Sequence, residues 1–169
     1  RAASGGASVR GVVGDIGCER KKWGELSTRN VWSKAAVGEE DEREPSGTRA
    51  LLNVGHTIGH GIEAAAGYGR LLHGEAISLG MVAAIRLSRQ FCSLGEADAK
   101  RIMAALELLS LPTRLEPDID RATILHILRS DKKFVDGQIR FVLLESLGSA
   151  LVSEKITFDA IEAAVDGLY

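Results

Sequence analysis

The chain has 169 residues, enough for one domain with a core of its own. Apolar residues make up 45% and charged residues 26%, an ordinary globular balance. The net charge of −2 leaves no basic footprint for nucleic acid, and no apolar run reaches the roughly 18–20 residues of a membrane span.

In chain order, the first stretch is the least patterned. "RAASGGASVRGVVGDIGCERKKWGELST" is rich in Gly, Ser and Arg and shows no helical period. "GVVGDIG" has the look of a phosphate loop but lacks the strand before it and the helix after it that such a loop needs. The chain begins with Arg rather than Met, and its texture changes at Lys34. The expectation is therefore an arm over 1–33, truncated or frameshifted, and one domain over 34–169. The start also lacks the apolar h-region of a secretory signal. Cys18 and Cys92 form no CxxC pair, which excludes a cysteine zinc site and predicts reduced thiols in a cytoplasmic protein.

"RNVWSKAAV" predicts the end of a helix, and "GEEDEREPSG" an acidic connector broken at Pro45 and Gly47. "TRALLNVGHTIGHGIEAAA" predicts a helix capped by Thr48 and, being apolar nearly all round, buried. The "GYG" at 67–69 stops it. "HGEAISLGMVAAIRLSRQFCSL" predicts a second long helix, and "EADAKRIMAALELL" a third, closed at Leu111-Pro112. "DIDRATILHILRSDKK" predicts a fourth, amphipathic through Ile124, Ile127 and Leu128. "QIRFVLLES-LGS-ALVSEKI" predicts a β-hairpin, and "TFDAIEAAVDGL" a closing helix capped by Thr157.

The chain has four histidines, and His56, His60 and His73 fall within eighteen residues. His56 and His60 stand at i and i+4, so they share one helix face about 6 Å apart. His73 lies seventeen residues past His56, which on a straight helix would be about 25 Å away. A metal holds each imidazole at about 2 Å, so a shared ion requires the chain to fold back, and Gly67 and Gly69 permit that. Gly55, Gly59, Gly61 and Gly74 each cost a helix roughly 1 kcal/mol against Ala, which predicts close approach of backbone or ligand. Buried histidines satisfied by backbone remain the alternative. Two histidines do not complete a catalytic zinc site, which takes three protein ligands and an open position. Glu63 and Glu75 lie nearby as ligands, as acceptors behind the ligands, or as helix-end charges.

"RALLNVGHTIGHGIEAAAGYGRLLHGEAISLGMVAA" closely resembles the C-terminal domain of the 3-dehydroquinate synthase family, and the resemblance runs on through "LRSDKKFVDGQIRFVLLESLG" to the final hairpin and helix. It covers about Lys34 to Tyr169. It implies a mainly α fold, the helical C-terminal domain of a two-domain protein, with a small β-hairpin near the C-terminus. It implies a lyase that converts 3-deoxy-D-arabino-heptulosonate 7-phosphate to 3-dehydroquinate and phosphate by NAD-assisted redox, β-elimination and aldol closure.

By that resemblance, His56 and His73 bind Zn2+ or Co2+ and His60 transfers protons, with Glu44 as a second acid/base. Lys34, Arg49, Asn53 and Lys132 (or Lys133) contact the substrate. NAD belongs to a preceding domain, so no cofactor-binding residue is assigned. The family's third metal ligand, a glutamate in an "AEVIKYG"-like segment, has no counterpart here, and the spacing from "DERE" to Arg49 is one residue longer than the family's. The expected partners are the sugar acid phosphate and a second copy of the full-length enzyme, with no nucleic acid and no membrane. The isolated chain is expected to be inactive. The alternatives are another sugar phosphate cyclase, a metal-dependent polyol dehydrogenase, or a non-catalytic metal-binding remnant.

Overall fold

A computed structural model of the chain describes Thr28 and residues 52–67, 69–130 and 140–169. Except for Thr28, these belong to the compact unit Ala50–Tyr169. The expected boundary between 33 and 34, Cys18, the glycine-rich "GVVGDIG" and the acidic connector lie outside the described residues.

The described residues form five helices and one hairpin: α1 (His56–Ala66), α2 (His73–Phe91), α3 (Glu96–Leu108), α4 (Arg121–Ser130), β1 (Phe141–Ser146), β2 (Ser149–Ser153) and α5 (Phe158–Asp166). This is the mainly helical architecture with a C-terminal hairpin that the sequence predicts. No helix among the described residues is long and apolar enough to cross a membrane.

α2 is the central element, packed against α1, α3, α5 and β1. Its Leu79, Val82, Ala83 and Leu87 are buried at helical spacing and meet Ile58 and Ile62 of α1, Ile124 and Leu128 of α4, and Ile161 and Val165 of α5 in one core.

Two expectations change. The first helix begins at His56, because the chain turns at Leu52–Gly55 and Gly55 takes a left-handed conformation, φ 79°. Nor is it buried all round: Ile58, Gly59, Gly61 and Ile62 face the core, while His60 and Ala64 are exposed. The apolar character of its outer face comes from alanine, which is too small to demand burial.

The close approach predicted from the glycines holds for three of the four. A Cβ on Gly55 would lie 2.5 Å from the Met81 nitrogen, one on Gly59 3.0 Å from the Ala76 oxygen, and one on Gly61 against the Leu128 side chain. Gly74 has nothing within 4 Å.

Asp120 starts α4 by accepting from the Thr123 amide at 2.8 Å, and Thr157 starts α5 by accepting from the Ala160 amide at 3.3 Å. The strands pair antiparallel from Phe141↔Ser153 to Ser146↔Ser149, with a bulge between Leu144 and Ser146 and a turn at Gly148, φ 90°. The C-terminus is tied down by the Leu115 amide donating to Leu168 and the Tyr169 hydroxyl donating to the Ile119 carbonyl at 2.6 Å.

Ser88 joins α2 to the hairpin. Its buried hydroxyl donates to the Ala84 carbonyl at 2.6 Å and accepts from the Leu144 amide at 2.8 Å, beside the bulge. Ser88→Ala leaves that amide without its acceptor in a half-buried position and is expected to cost about 1–3 kcal/mol. A urea midpoint unchanged from the parent would refute it.

Candidate metal centre

α1 and α2 are joined by a short reversal in which Gly67 and Gly69 take φ of 84° and 83°, conformations that cost glycine little. Arg70 fastens this reversal to the 116–118 turn, pairing with Glu116 at 3.0 Å and with Asp118. His73 therefore opens α2 beside α1. The ring centroids of His56 and His73 lie 5.9 Å apart, those of His56 and His60 5.7 Å, and those of His60 and His73 5.2 Å.

What fixes this convergence is the contact of two backbones. Gly80 packs so closely on the turn into α1 that a Cβ there would overlap the Gly55 carbonyl oxygen and lie 2.7 Å from the Gly59 nitrogen. The two helices meet main chain to main chain, and their histidines project from the crossing.

Glu63, one turn along α1 from His60, completes the cluster. Its Oε2 lies 3.0 Å from His73 Nδ1 and 3.4 Å from His60 Nδ1. The hydrogen bond from His73 is the main reason its carboxyl is held below the usual glutamate range. His56 Nδ1 faces the Val54 carbonyl at 3.4 Å. Glu75 takes no part: its Oε2 accepts from the Leu72 amide at 2.8 Å and caps α2, the helix-end role among its three alternatives.

The ligating atoms of His60, Glu63 and His73 lie within 4.8 Å of one another. The family resemblance pairs His73 with His56; since His56 and His60 share a face of α1, His73 meets both. Asn53 lies exposed in the turn leading to α1. Lys34, Glu44, Arg49, Lys132 and Lys133 lie outside the described residues. His126, the fourth histidine, is exposed on α4.

Zinc binds imidazole nitrogen and carboxylate oxygen, and the cluster is that donor set. With side-chain exposures of 59% for His60 and 54% for His73, it is open to a further ligand. A dinucleotide fits less well. Its pyrophosphate is held where a parallel strand runs into a helix, and the one sheet among the described residues is an antiparallel hairpin.

A family model described as 3-dehydroquinate synthase C-terminal matches residues 13–134. The 3-dehydroquinate synthase of Nitrosococcus oceani is 44% identical over 138 residues, covering 82% of this chain and 38% of that protein. That of Acidithiobacillus ferrooxidans is 47% identical over 128 residues, covering 76% and 35%. Among solved structures, 2-epi-5-epi-valiolone synthase from Streptomyces hygroscopicus, with NAD+ and Zn2+ bound, superposes with a TM-score of 0.71 at 27% identity, covering 89% of this chain and 41% of that one. A 2-deoxy-scyllo-inosose synthase shares the fold, with a TM-score of 0.63 at 24% identity over 72% of this chain and 34% of its own.

Proposed function

The chain belongs to the 3-dehydroquinate synthase family, matching its C-terminal domain, and from this premise we propose that it supplies the metal- and substrate-binding part of a 3-dehydroquinate synthase. The observation that carries the proposal is the convergence of three imidazoles from α1 and α2, with ring centroids 5.2–5.9 Å apart, around the turn at Gly67 and Gly69. The reaction is conversion of 3-deoxy-D-arabino-heptulosonate 7-phosphate to 3-dehydroquinate and phosphate. The functional domain is 34–169, and the full-length enzyme works as a homodimer in the cytoplasm.

His56 and His73 hold a divalent metal, zinc or cobalt, which when bound supplies Lewis acidity toward a substrate oxygen. His60 sits beside both rings and moves protons to and from the substrate. Glu44 is its partner in that work. The substrate carries a carboxylate and a phosphate, so cations must receive it: Arg49 suits planar oxyanions, Lys34 and Lys132 act as point charges, and Asn53 hydrogen-bonds to its oxygens.

NAD+ belongs to the part of the relatives that this chain does not span, and turnover requires that part. The Streptomyces neighbour, a different synthase, binds both NAD+ and Zn2+. At 44–47% identity the named 3-dehydroquinate synthases support that activity over another cyclase.

Calorimetry tests the metal assignment. The intact chain is expected to bind one zinc ion, and His56→Ala, which removes a ligand, to weaken binding by at least about 100-fold, more than the roughly 10–100-fold lost with an outer acceptor. Heats identical in the two proteins, or none in the intact chain, would refute it.

A further inference from the structure

Each of the three clustered rings turns Nδ1 toward an acceptor of the protein: His56 toward the Val54 carbonyl at 3.4 Å, His60 toward Glu63 at 3.4 Å and His73 toward Glu63 at 3.0 Å. In an imidazole the other nitrogen, Nε2, then lies on the far side of the ring from that acceptor. Metal-binding histidines are held in this way, with the second ring nitrogen donating to a carboxylate or carbonyl that fixes tautomer and orientation.

We infer that Glu63 is a positioning residue that holds His60 and His73 together, both with the proton on Nδ1 and Nε2 bare. This rests on the proposed metal site and deepens it. A single carboxylate oxygen serves two rings with different tasks. On His73 it leaves Nε2 as the metal ligand; on His60 it leaves Nε2 as the atom that takes up a proton. The geometry is built by the fold. Glu63 stands three residues past His60, on the same face of α1, and the turn returns His73 to its carboxylate from ten residues further on. A neutral imidazole free in water has no such constraint, and its tautomer follows whatever hydrogen bond it finds.

The test reads the tautomer directly and needs no metal. Long-range 1H–15N spectra of the labelled chain are recorded at about pH 8.5, where a free imidazole, with its pKa of about 6.5, is neutral. In the intact chain His60 and His73 are expected to show a protonated Nδ1 and a bare Nε2. In Glu63→Ala both should shift toward protonated Nε2, while His56, which faces Val54 rather than Glu63, stays unchanged and reports that the fold is intact. Glu63→Gln, whose amide oxygen still accepts, should keep much of the Nδ1–H form.

Zinc titration is the second arm. Glu63→Ala should weaken binding about 10–100-fold, with Glu63→Gln in between. Three results would overturn the inference: Nε2–H on His73 in the intact chain, tautomers unmoved in Glu63→Ala, or zinc attached at Nδ1, which would make Glu63 a direct ligand. Failure of the intact chain to bind zinc would instead strike the proposed function, and the tautomer spectra would still decide the role of Glu63.

Discussion

His73→Ala is expected to lower zinc affinity by at least about 100-fold and leave the fold intact. Loss of an outer acceptor alone costs a metal site about 10–100-fold, and loss of a ligand should cost more. His73 is the ring that both groupings share: it lies 5.9 Å from His56 between centroids, and it joins His60 and Glu63 in the set whose ligating atoms lie within 4.8 Å. Removing it leaves the two imidazoles and the Glu63 carboxylate of α1, with no donor of the cluster from α2. The side chain is 54% exposed at the first residue of α2, so truncation opens no cavity, and alanine is the best helix former. The control is His126→Ala on the exposed face of α4, which should bind as the parent does. Calorimetry gives the affinity and far-ultraviolet circular dichroism gives the fold. A His73→Ala chain that binds zinc within threefold of the parent would remove His73 from the site.

Gly80→Ala is expected to destabilise the chain by about 3 kcal/mol or more. Inserting a methyl into a packed core costs about 1–3 kcal/mol when side chains can move aside. Here the obstacles are main-chain atoms, the Gly55 carbonyl and the Gly59 nitrogen, and only a shift of α1 against α2 relieves them. Alanine's better helix propensity returns about 1 kcal/mol and does not offset the overlap. The shift would also part His56 and His60 from His73, so zinc binding should fall with stability. Gly74→Ala in the same helix is the contrast. Nothing lies within 4 Å of its Cβ, so it should stabilise by up to about 1 kcal/mol. Urea unfolding of the two variants separates the explanations: equal midpoints would show that the Gly55–Gly80 contact does not set the helix crossing.

Much of the helical frame could be read from the chain. The period of Leu79, Val82, Ala83 and Leu87 marks a buried face, Thr157 marks a helix start, and the glycine between two short apolar runs marks the hairpin turn. The start of α1 could not be read, because Val54 and Gly55 continue the apolar pattern, and only the left-handed backbone of Gly55 against Gly80 ends it. Gly74 was misleading for the opposite reason: a glycine looks the same in the sequence whether its missing Cβ faces a neighbour or open space.

The candidate site divides along the same line. Local spacing by itself set His56, His60 and Glu63 on one face of a helix and set two glycines before His73, because helical geometry relates residues three and four apart without help from the rest of the fold. It could not separate Glu63 from Glu75, two nearby glutamates of equal promise. Tertiary structure decided that: the reversal pinned by Arg70 and the backbone contact at Gly80 bring His73 onto Glu63, while Glu75, turned to the Leu72 amide just before its own helix, caps it. The reason is range, since a helix cap is satisfied within four residues and the histidine cluster closes only when two helices pack.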